Sequence, residues 1–222
     1  MSGDSVHRVE KTRILMVDDH PIVREGMALF LNAQADLHLC GEAGNAVEAM
    51  AALAKCDPAL AIVDITLNGE SGLDLIKLMR RRYPNLAILA MSLHDESIFA
   101  DRALRAGAKG YLMKHEATAN ILLAVRTVLS GGIYLSAAMH RRLAQKLASP
   151  GGSPDSPIAG LSGREFEILH LIGLGFGTRQ ISEKLNRSIK TIEAHRAALK
   201  EKLQLKSGAD LVRFASKWLD ER

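Results

Sequence analysis

The sequence predicts an α/β domain with a doubly wound, five-stranded parallel sheet, followed by a second, smaller all-α domain. In the first part of the 222-residue chain, short runs that are apolar throughout alternate with segments of helical period. This alternation is typical of parallel strands that are buried on both faces. A Pro- and Gly-rich stretch at 149–157 cannot hold a helix or a central strand, and only helical patterns follow it. We therefore place a domain boundary at this stretch.

Five strand–helix units are expected before the boundary. Their strands are predicted at 14–17, 37–40, 60–63, 86–90 and 109–113. The first helix is expected to begin near Pro21, because proline is favoured in the first turn of a helix. The other helices are predicted at 46–55, 73–82, 96–106 and 118–129, with Gly107 ending the fourth helix.

The segment that joins the two domains is predicted to contain one more helix. This helix is expected at 133–147 and leads into the Pro- and Gly-rich stretch, which we interpret as a flexible tether. A long surface loop within a single domain is the alternative. Beyond the tether, four helices that begin at or beside a capping residue are predicted at 162–173, 178–186, 189–203 and 207–219.

The composition favours a globular protein that works in the cytoplasm. Hydrophobic residues make up 47% of the chain, and neither an apolar run of 18 residues nor a secretory signal is expected. Cys40 and Cys56 are too few for a disulfide framework or a zinc site, so we expect plain thiols. The net charge of +4 comes from 159–222, which holds twelve Lys and Arg against eight Asp and Glu. This excess favours a polyanionic partner for the helical domain.

Five polar residues follow strands of the predicted sheet. Asp18 and Asp19 end the first strand, Asp64 ends the third, Ser92 ends the fourth and Lys114 follows the fifth. With the strand order 2-1-3-4-5, these side chains meet at the carboxyl edge, where open parallel sheets bind ligands. Three converging carboxylates repel one another unless a cation is present, and oxygen ligands suit Mg²⁺. The sequence therefore predicts a magnesium site at this edge.

This set of groups suits phosphoryl transfer to a carboxylate. Asp64, in the centre of the sheet, is the predicted nucleophile. The metal ion and Lys114 would neutralise charge on the phosphoryl oxygens, and Ser92 would donate a hydrogen bond to the product. Each residue alone has a simpler explanation, such as a helix cap or a solvated lysine, but their convergence on one edge favours a functional site.

These residues, together with Tyr111, resemble the pattern of the receiver (CheY-like) domains of two-component regulatory systems. The stretches 17–20, 71–74 and 106–114 look like the NarL/FixJ branch of response regulators. The resemblance implies a flavodoxin-like receiver domain, the phosphoacceptor domain, over residues 12–132. Residues 133–158 would then be the linker helix and tether.

The resemblance also implies roles for the acidic residues. Asp64 would take a phosphoryl group from a sensor histidine kinase, as in a phosphorelay. Asp19, Asp64 and the backbone carbonyl of Thr66 would hold Mg²⁺, with Asp18 acting mainly through water. The chain departs from the family in the loop at 66–69, where a Met-Pro-Gly sequence is usual; here Asn68-Gly69 is still expected to form a tight turn.

A switch pair follows from the same resemblance. When Ser92 moves to the phosphoryl group, Tyr111 would turn inward and change the face formed by the fourth helix, the fifth strand and the fifth helix. Such a local charge event biases a packing element that has two states.

The helices at 178–186 and 189–203 have the outline of a helix-turn-helix motif. In the second helix one face is expected to pack inward through Ile189, Ile192, Leu199 and Leu203. The opposite face carries Lys190, Glu193, Ala194, Ala197, Lys200 and Glu201, with Arg196 at its flank.

The outward face is suited to contact DNA. Its alanines keep the surface shallow enough for the backbone to approach base edges, and its lysines and Arg196 can reach phosphates. Glu193 would either accept a hydrogen bond from cytosine N4 or hold a neighbouring arginine in place. His195, at the margin of the inward face, is expected to pack or to contact phosphate. An ordinary amphipathic helix with a solvated charged face is the alternative.

The motifs of this region resemble the LuxR-type output domain, which would cover residues 159–222. They lie at 161–165, 168–169, 181–185, 190–196 and 202–203. The resemblance implies that the second helix enters the major groove, with Thr191 among its contacting residues. It also implies that the last helix, 207–219, supplies dimer contacts.

Together these features predict a DNA-binding response regulator that controls transcription and is not an enzyme. Phosphorylation of Asp64 would promote a homodimer that binds paired half-sites on double-stranded DNA, with RNA polymerase as a further partner. One alternative is a phosphatase with an aspartate nucleophile, but the haloacid-dehalogenase type needs a second Asp where this chain has Thr66. The other alternative is a protein-interaction module whose helical domain does not bind DNA.

Overall fold

The computed structural model describes residues 11–67, 70–148, 157–158 and 160–220. The strands of its main sheet are β1 (Thr12–Val17), β2 (Leu37–Ala43), β3 (Leu60–Asp64), β6 (Ala87–Ser92) and β7 (Gly110–Met113). They are parallel and lie in the order β2-β1-β3-β6-β7, which confirms the predicted fold and strand order.

Five helices cover the two faces of this sheet. They are α1 (Pro21–Asn32), α2 (Ala46–Cys56), α3 (Gly72–Arg82), α4 (Glu96–Ala106) and α5 (Ala117–Leu129). Alternate residues of each strand face opposite layers, so that Leu15 and Val17 pack with α2, α3 and α4, whereas Ile14 and Met16 pack with α1 and α5. Apolar residues at every position of a strand are therefore explained by burial on both faces.

Short polar side chains fix where three of these helices begin. Asn45, Ser71 and Asp95 accept hydrogen bonds from the backbone N–H groups of Glu48, Asp74 and Ser97, which lie in the first turns of α2, α3 and α4.

The fourth of these helices ends as predicted. Gly107 adopts the left-handed conformation after α4, with φ of 113°.

A short hairpin that was not predicted from the sequence lies between β3 and α3. Its strands, β4 (Thr66–Leu67) and β5 (Glu70–Ser71), pair antiparallel. Two residues per strand are too few to give a recognisable alternation. The tight turn predicted at Asn68-Gly69 lies outside the described residues.

The linker helix, α6 (Ala137–Ala148), begins four residues later than predicted. The reason is that Tyr134 forms a parallel bridge with Gly110 of β7, so this part of the chain is held extended at the edge of the sheet. Ser136 then caps the helix, because its Oγ accepts the N–H of Met139 at 3.1 Å. Residues 149–156 of the predicted tether lie outside the described residues.

Four helices form the C-terminal domain: α7 (Gly163–Gly173), α8 (Thr178–Lys184), α9 (Ile189–Lys202) and α10 (Gly208–Asp220). Ser162 and Glu165 form a capping box at the start of α7. The turn between α8 and α9 passes through Asn186, which has φ of 47° and is thus left-handed. The predicted helix-turn-helix arrangement is confirmed.

The two domains touch through α7. Arg102 of α4 lies over the ring of Phe166 at 4.1 Å and donates hydrogen bonds to the carbonyls of Ile158 and Leu161. At the start of α7, the N–H of Gly163 donates to the carboxylate of Asp74 in α3 at 3.2 Å. None of the helices in the described ranges is both long and apolar enough to cross a bilayer.

Gly72 is required by the close approach of α3 to the end of β3. A Cβ atom at this position would overlap the carbonyl oxygen of Asp64. We expect Gly72→Ala to destabilise the protein by about 1–3 kcal/mol, as overpacking of a core does. The measurement is the free energy of unfolding in urea.

Gly26 provides the matched control. It lies within α1, and a Cβ atom there would meet nothing within 4 Å. Gly26→Ala should therefore stabilise the protein by about 0.5–1 kcal/mol, because alanine favours the helix. Equal effects of the two substitutions would contradict the close approach at Gly72.

Candidate functional site

The five polar residues predicted at the carboxyl edge of the sheet are all placed there. Asp18 follows β1, Asp64 ends β3 and Ser92 ends β6, and all three side chains are buried. Asp19 is half-buried beside Asp18, and Lys114 begins a single turn of 3₁₀ helix after β7. The strand order therefore forms the pocket from residues that lie far apart in the sequence.

Lys114 joins the two buried carboxylates. Its Nζ lies 2.7 Å from Oδ2 of Asp18 and 2.7 Å from Oδ2 of Asp64. Burial alone would lower the pKa of Lys114, but the charges of Asp64 and Asp18 outweigh it and raise this pKa. The lysine is therefore held as a cation against the carboxylates.

The pKa of Asp64 is raised by its surroundings. Burial raises its pKa to about 6, and the charge of Asp18 adds to the rise, while Lys114 opposes it. The backbone N–H of Thr66 donates to the other carboxylate oxygen, Oδ1, at 2.9 Å. Both oxygens of Asp64 are thus oriented by a positively polarised group, which is a suitable environment for a nucleophile.

The acidic residues could hold a divalent cation. Ligand atoms of Asp18, Asp19, His20 and Asp64 lie within 4.8 Å of one another. The carboxylate oxygens fit the hard-ligand preference of Mg²⁺. Thr66, whose backbone carbonyl was predicted to join them, begins β4 two residues after Asp64.

His20, which was not among the predicted site residues, is a neighbour of these acids. Its Nδ1 lies 2.8 Å from Oδ1 of Asp19, and its backbone N–H donates to Oδ1 of Asp18 at 2.9 Å. Its position directly after the acidic pair was the available signal. The contact brings a titratable side chain to the rim of the pocket.

The predicted switch residues lie side by side behind this pocket. The Oγ of Ser92 accepts the backbone N–H of His94 at 3.0 Å, and the hydroxyl of Tyr111 donates to the carbonyl of His94 at 2.8 Å. The ring of Tyr111 is already inward and buried in this structure, and burial raises the pKa of its hydroxyl. Both side chains thus hold the same short segment after β6.

The outward face of α9 is largely as predicted. Ile192 and Leu199 are fully buried, and Leu203 packs against the same core. None of the seven residues that were predicted to contact DNA is buried. The exposed members are Lys190, Glu193, Ala194 and Ala197, and the half-buried members are Thr191, Arg196 and Lys200.

One residue of the predicted inward face was wrongly assigned. Ile189 is 47% exposed, because it is the first residue of α9 and lies before Ile192 and Leu199, the residues that this helix buries. Helical period alone does not reveal which end of a helix extends past its neighbour.

Beside the outward face of α9 lies a notch of about 240 Å³, bordered by Glu193, Arg196 and Lys200. Burial lowers the pKa of Arg196, which therefore lies partly within the surface. The notch brings Glu193 and Arg196 to one place, which suits both roles suggested for Glu193. His195 is half-buried, and burial lowers its pKa.

The fold and these two sites define a class of protein in which an α/β domain with an acidic pocket at the edge of its sheet is joined to a helix-turn-helix domain. Comparison with family models agrees with this. Residues 14–126 match the response regulator receiver domain, and residues 159–215 match the bacterial regulatory proteins of the luxR family.

Individual proteins and solved structures are also similar to this chain. The oxygen regulatory protein NreC of Staphylococcus carnosus (strain TM300) is 37% identical over 210 residues, which cover 92% of this chain and 97% of that protein. A LuxR-family two-component response regulator from Aurantimonas sp. SI85-9A1 has a TM-score of 0.58 and 31% identity, covering 63% of this chain and 100% of that one. RcsB of Salmonella enterica serovar Typhimurium, bound to promoter rprA in the presence of the phosphomimetic BeF₃⁻, has a TM-score of 0.58 and 27% identity, covering 93% and 99%.

The chain belongs to the two-component response regulators that join a receiver domain to a LuxR-family DNA-binding domain. The family, the fold and the functional class predicted from the sequence are thereby confirmed.

We expect Asp19→Asn to weaken binding of Mg²⁺ by about tenfold or more, because one of the charged oxygen ligands becomes neutral. Isothermal titration of the full chain with Mg²⁺ measures this. Asp57→Asn is the matched control, since Asp57 is exposed and has a left-handed backbone that asparagine tolerates. An unchanged affinity in Asp19→Asn would exclude this aspartate as a ligand.

Proposed function

We propose that this response regulator is switched by a phosphoryl group on Asp64, donated by a sensor histidine kinase, and that the switch controls dimerisation and transcription. The observation that carries the proposal is the environment of Asp64, which is buried, borders two further acids and is contacted by Lys114. A carboxylate so placed is poised to attack a phosphorus atom once a cation balances the added charge.

The residues of the pocket divide the chemistry between them. A carboxylate oxygen of Asp64 attacks the phosphorus of the kinase phosphohistidine; the P–N bond breaks and the imidazole leaves with its electron pair. Lys114 stabilises the negative charge on the phosphoryl oxygens, and the hydroxyl group of Ser92 donates a hydrogen bond to one of them. Asp18, Asp19, Asp64 and the carbonyl of Thr66 would hold Mg²⁺. When bound, this ion supplies further charge neutralisation.

The helical domain is proposed to bind double-stranded DNA through α9. The exposed alanines of this helix allow its backbone to approach base edges, while Thr191, Glu193 and Arg196 border the same surface. Lys190 and Lys200 lie at either end of this face and would contact phosphates.

The proposal includes the partners and the division of the chain. Phosphorylated copies pair as a homodimer through α10 and bind two half-sites, and RNA polymerase is the further partner. Regulation of transcription takes place in the cytoplasm, where DNA is available. No separate enzymatic reaction is proposed. The domains are 12–132, 133–158 and 159–222.

Incubation with acetyl phosphate and Mg²⁺ should add one phosphoryl group to the wild-type chain and raise its affinity for DNA from its own genomic neighbourhood. Asp64→Asn should gain neither, because an amide is not a nucleophile toward phosphorus. Intact-mass spectrometry and gel shifts measure the two effects. Asp57→Asn should behave like the wild type, and a phosphoryl group found on any other residue would contradict the proposal.

Lys200→Ala should weaken DNA binding to a similar extent for all sequences and reduce the slope of log K against log salt by about 1. The reason is that a lysine that contacts a phosphate of the DNA backbone releases one counterion and makes no contact with a base. Fluorescence anisotropy at several salt concentrations checks this. Lys77→Ala, which removes an exposed lysine of the receiver domain, should leave the slope unchanged. A loss confined to one DNA sequence would instead make Lys200 a base-reading residue.

A further inference from the structure

His94 belongs to the switch and to the interface between the domains. Its backbone is held at both ends by the switch pair, because its N–H donates to Ser92 and its carbonyl accepts from Tyr111. Any displacement of the Ser92 hydroxyl toward a group on Asp64 therefore removes the acceptor of the His94 N–H.

The side chain of His94 points away from the pocket and into the contact with α7. Its imidazole stacks on Phe99 of α4, with ring centroids 4.5 Å apart, and meets His170 of α7 edge-on at 5.9 Å. Phe99 in turn meets the rings of Phe166 and His170 edge-on. These four rings form the aromatic cluster of the interface, in which each domain supplies two.

A polar part of the same interface is incompletely paired. Nε2 of His94 lies 3.7 Å from Oε1 of Glu167, a buried carboxylate whose other oxygen accepts from Arg164 at 2.6 Å. Within the described ranges, Oε1 of Glu167 and Nδ1 of His170 have no hydrogen-bond partner. Buried polar groups without partners weaken an interface, so this contact is suited to be released.

We propose that His94 is the positioning residue that couples the phosphoryl state of Asp64 to the docking of α7. This inference rests on the proposed function. Before phosphorylation, Ser92 and Tyr111 hold the backbone of His94, so that its imidazole stays in the aromatic cluster and the helical domain keeps one orientation. After phosphorylation, Ser92 turns to the phosphoryl group, the segment at His94 moves, and α7 is released so that two helical domains can pair on DNA.

The chain contains a natural fluorescence probe for the release of α7. Trp218 of α10 is the single tryptophan, and its ring meets Phe166 of the aromatic cluster edge-on at 5.3 Å. Undocking of α7 changes what surrounds Phe166 and should change the emission of Trp218. A fluorescence readout thus reports docking without reference to DNA.

The test compares His94→Ala, His94→Phe and the wild type, each with and without acetyl phosphate and Mg²⁺. His94→Ala should accept the phosphoryl group as the wild type does, since the pocket contacts only its backbone. Its Trp218 emission should resemble that of phosphorylated wild type before any phosphodonor is added. The gain in DNA affinity on phosphorylation should shrink by about two- to thirtyfold, the range in which coupling residues act.

Two further variants separate coupling from a general structural role. His94→Phe keeps a ring that stacks on Phe99 and should restore most of the Trp218 response. His38→Ala removes an exposed histidine of β2 and should behave like the wild type in every assay.

The inference is overturned if His94→Ala accepts phosphate and keeps the full gain in DNA affinity and the full Trp218 response. It is also overturned if His94→Ala and His94→Phe both lose phosphorylation, because His94 would then act in the chemistry. If the wild type itself takes up no phosphate on Asp64, or takes it up with no change in DNA affinity, the proposed function fails first, and the inference with it.

Discussion

The contact of Lys114 with Asp18 and Asp64 is the interaction on which the rest of the receiver domain depends. Two carboxylates buried side by side would repel each other and take up protons unless a cation lay between them. The parallel order of β1, β3 and β7 brings the three side chains together from distant parts of the sequence. Lys114 offsets only part of the negative charge of the three acids, so the pocket is also suited to a divalent cation.

This pocket could be predicted from the sequence because each of its acidic residues is recognised from the residues directly before it. Each acidic residue ends a run of apolar residues, and apolar runs of this length indicate strands of a covered parallel sheet. The start of α6 was misplaced because the contact of Tyr134 with β7 joins segments that no periodic pattern connects. Ile189 was misassigned for a related reason, since its exposure depends on where α9 crosses its neighbour. The β4–β5 hairpin is too short to produce a pattern at all.

The contact between the domains could not be predicted from the sequence either, and the burial of α7 explains why. From Gly163 to Ile172 every residue of this helix is buried, including Arg164, Glu165, Glu167 and His170. Charged residues in a helix usually indicate a solvated face, so the sequence offers no sign that this face is covered by the receiver. Burial raises the cost of each imperfectly paired group, which makes this interface weaker than the apolar core of either domain.

Two chains of contacts connect the acidic pocket to α7. The first begins where Gly72, the first residue of α3, lies against the carbonyl of Asp64, and it continues to Asp74 of α3, which accepts the N–H of Gly163. The second runs from Ser92 through His94, in the segment after β6, to His170. Neither of them touches the outward face of α9, where Ala194 and Ala197 are exposed while the domains are docked. Under the proposed function, docking therefore controls DNA binding by fixing the orientation of the helical domain rather than by covering the surface that reads DNA. A dimer must match two half-sites at a set spacing, so an imposed orientation is enough to keep affinity low.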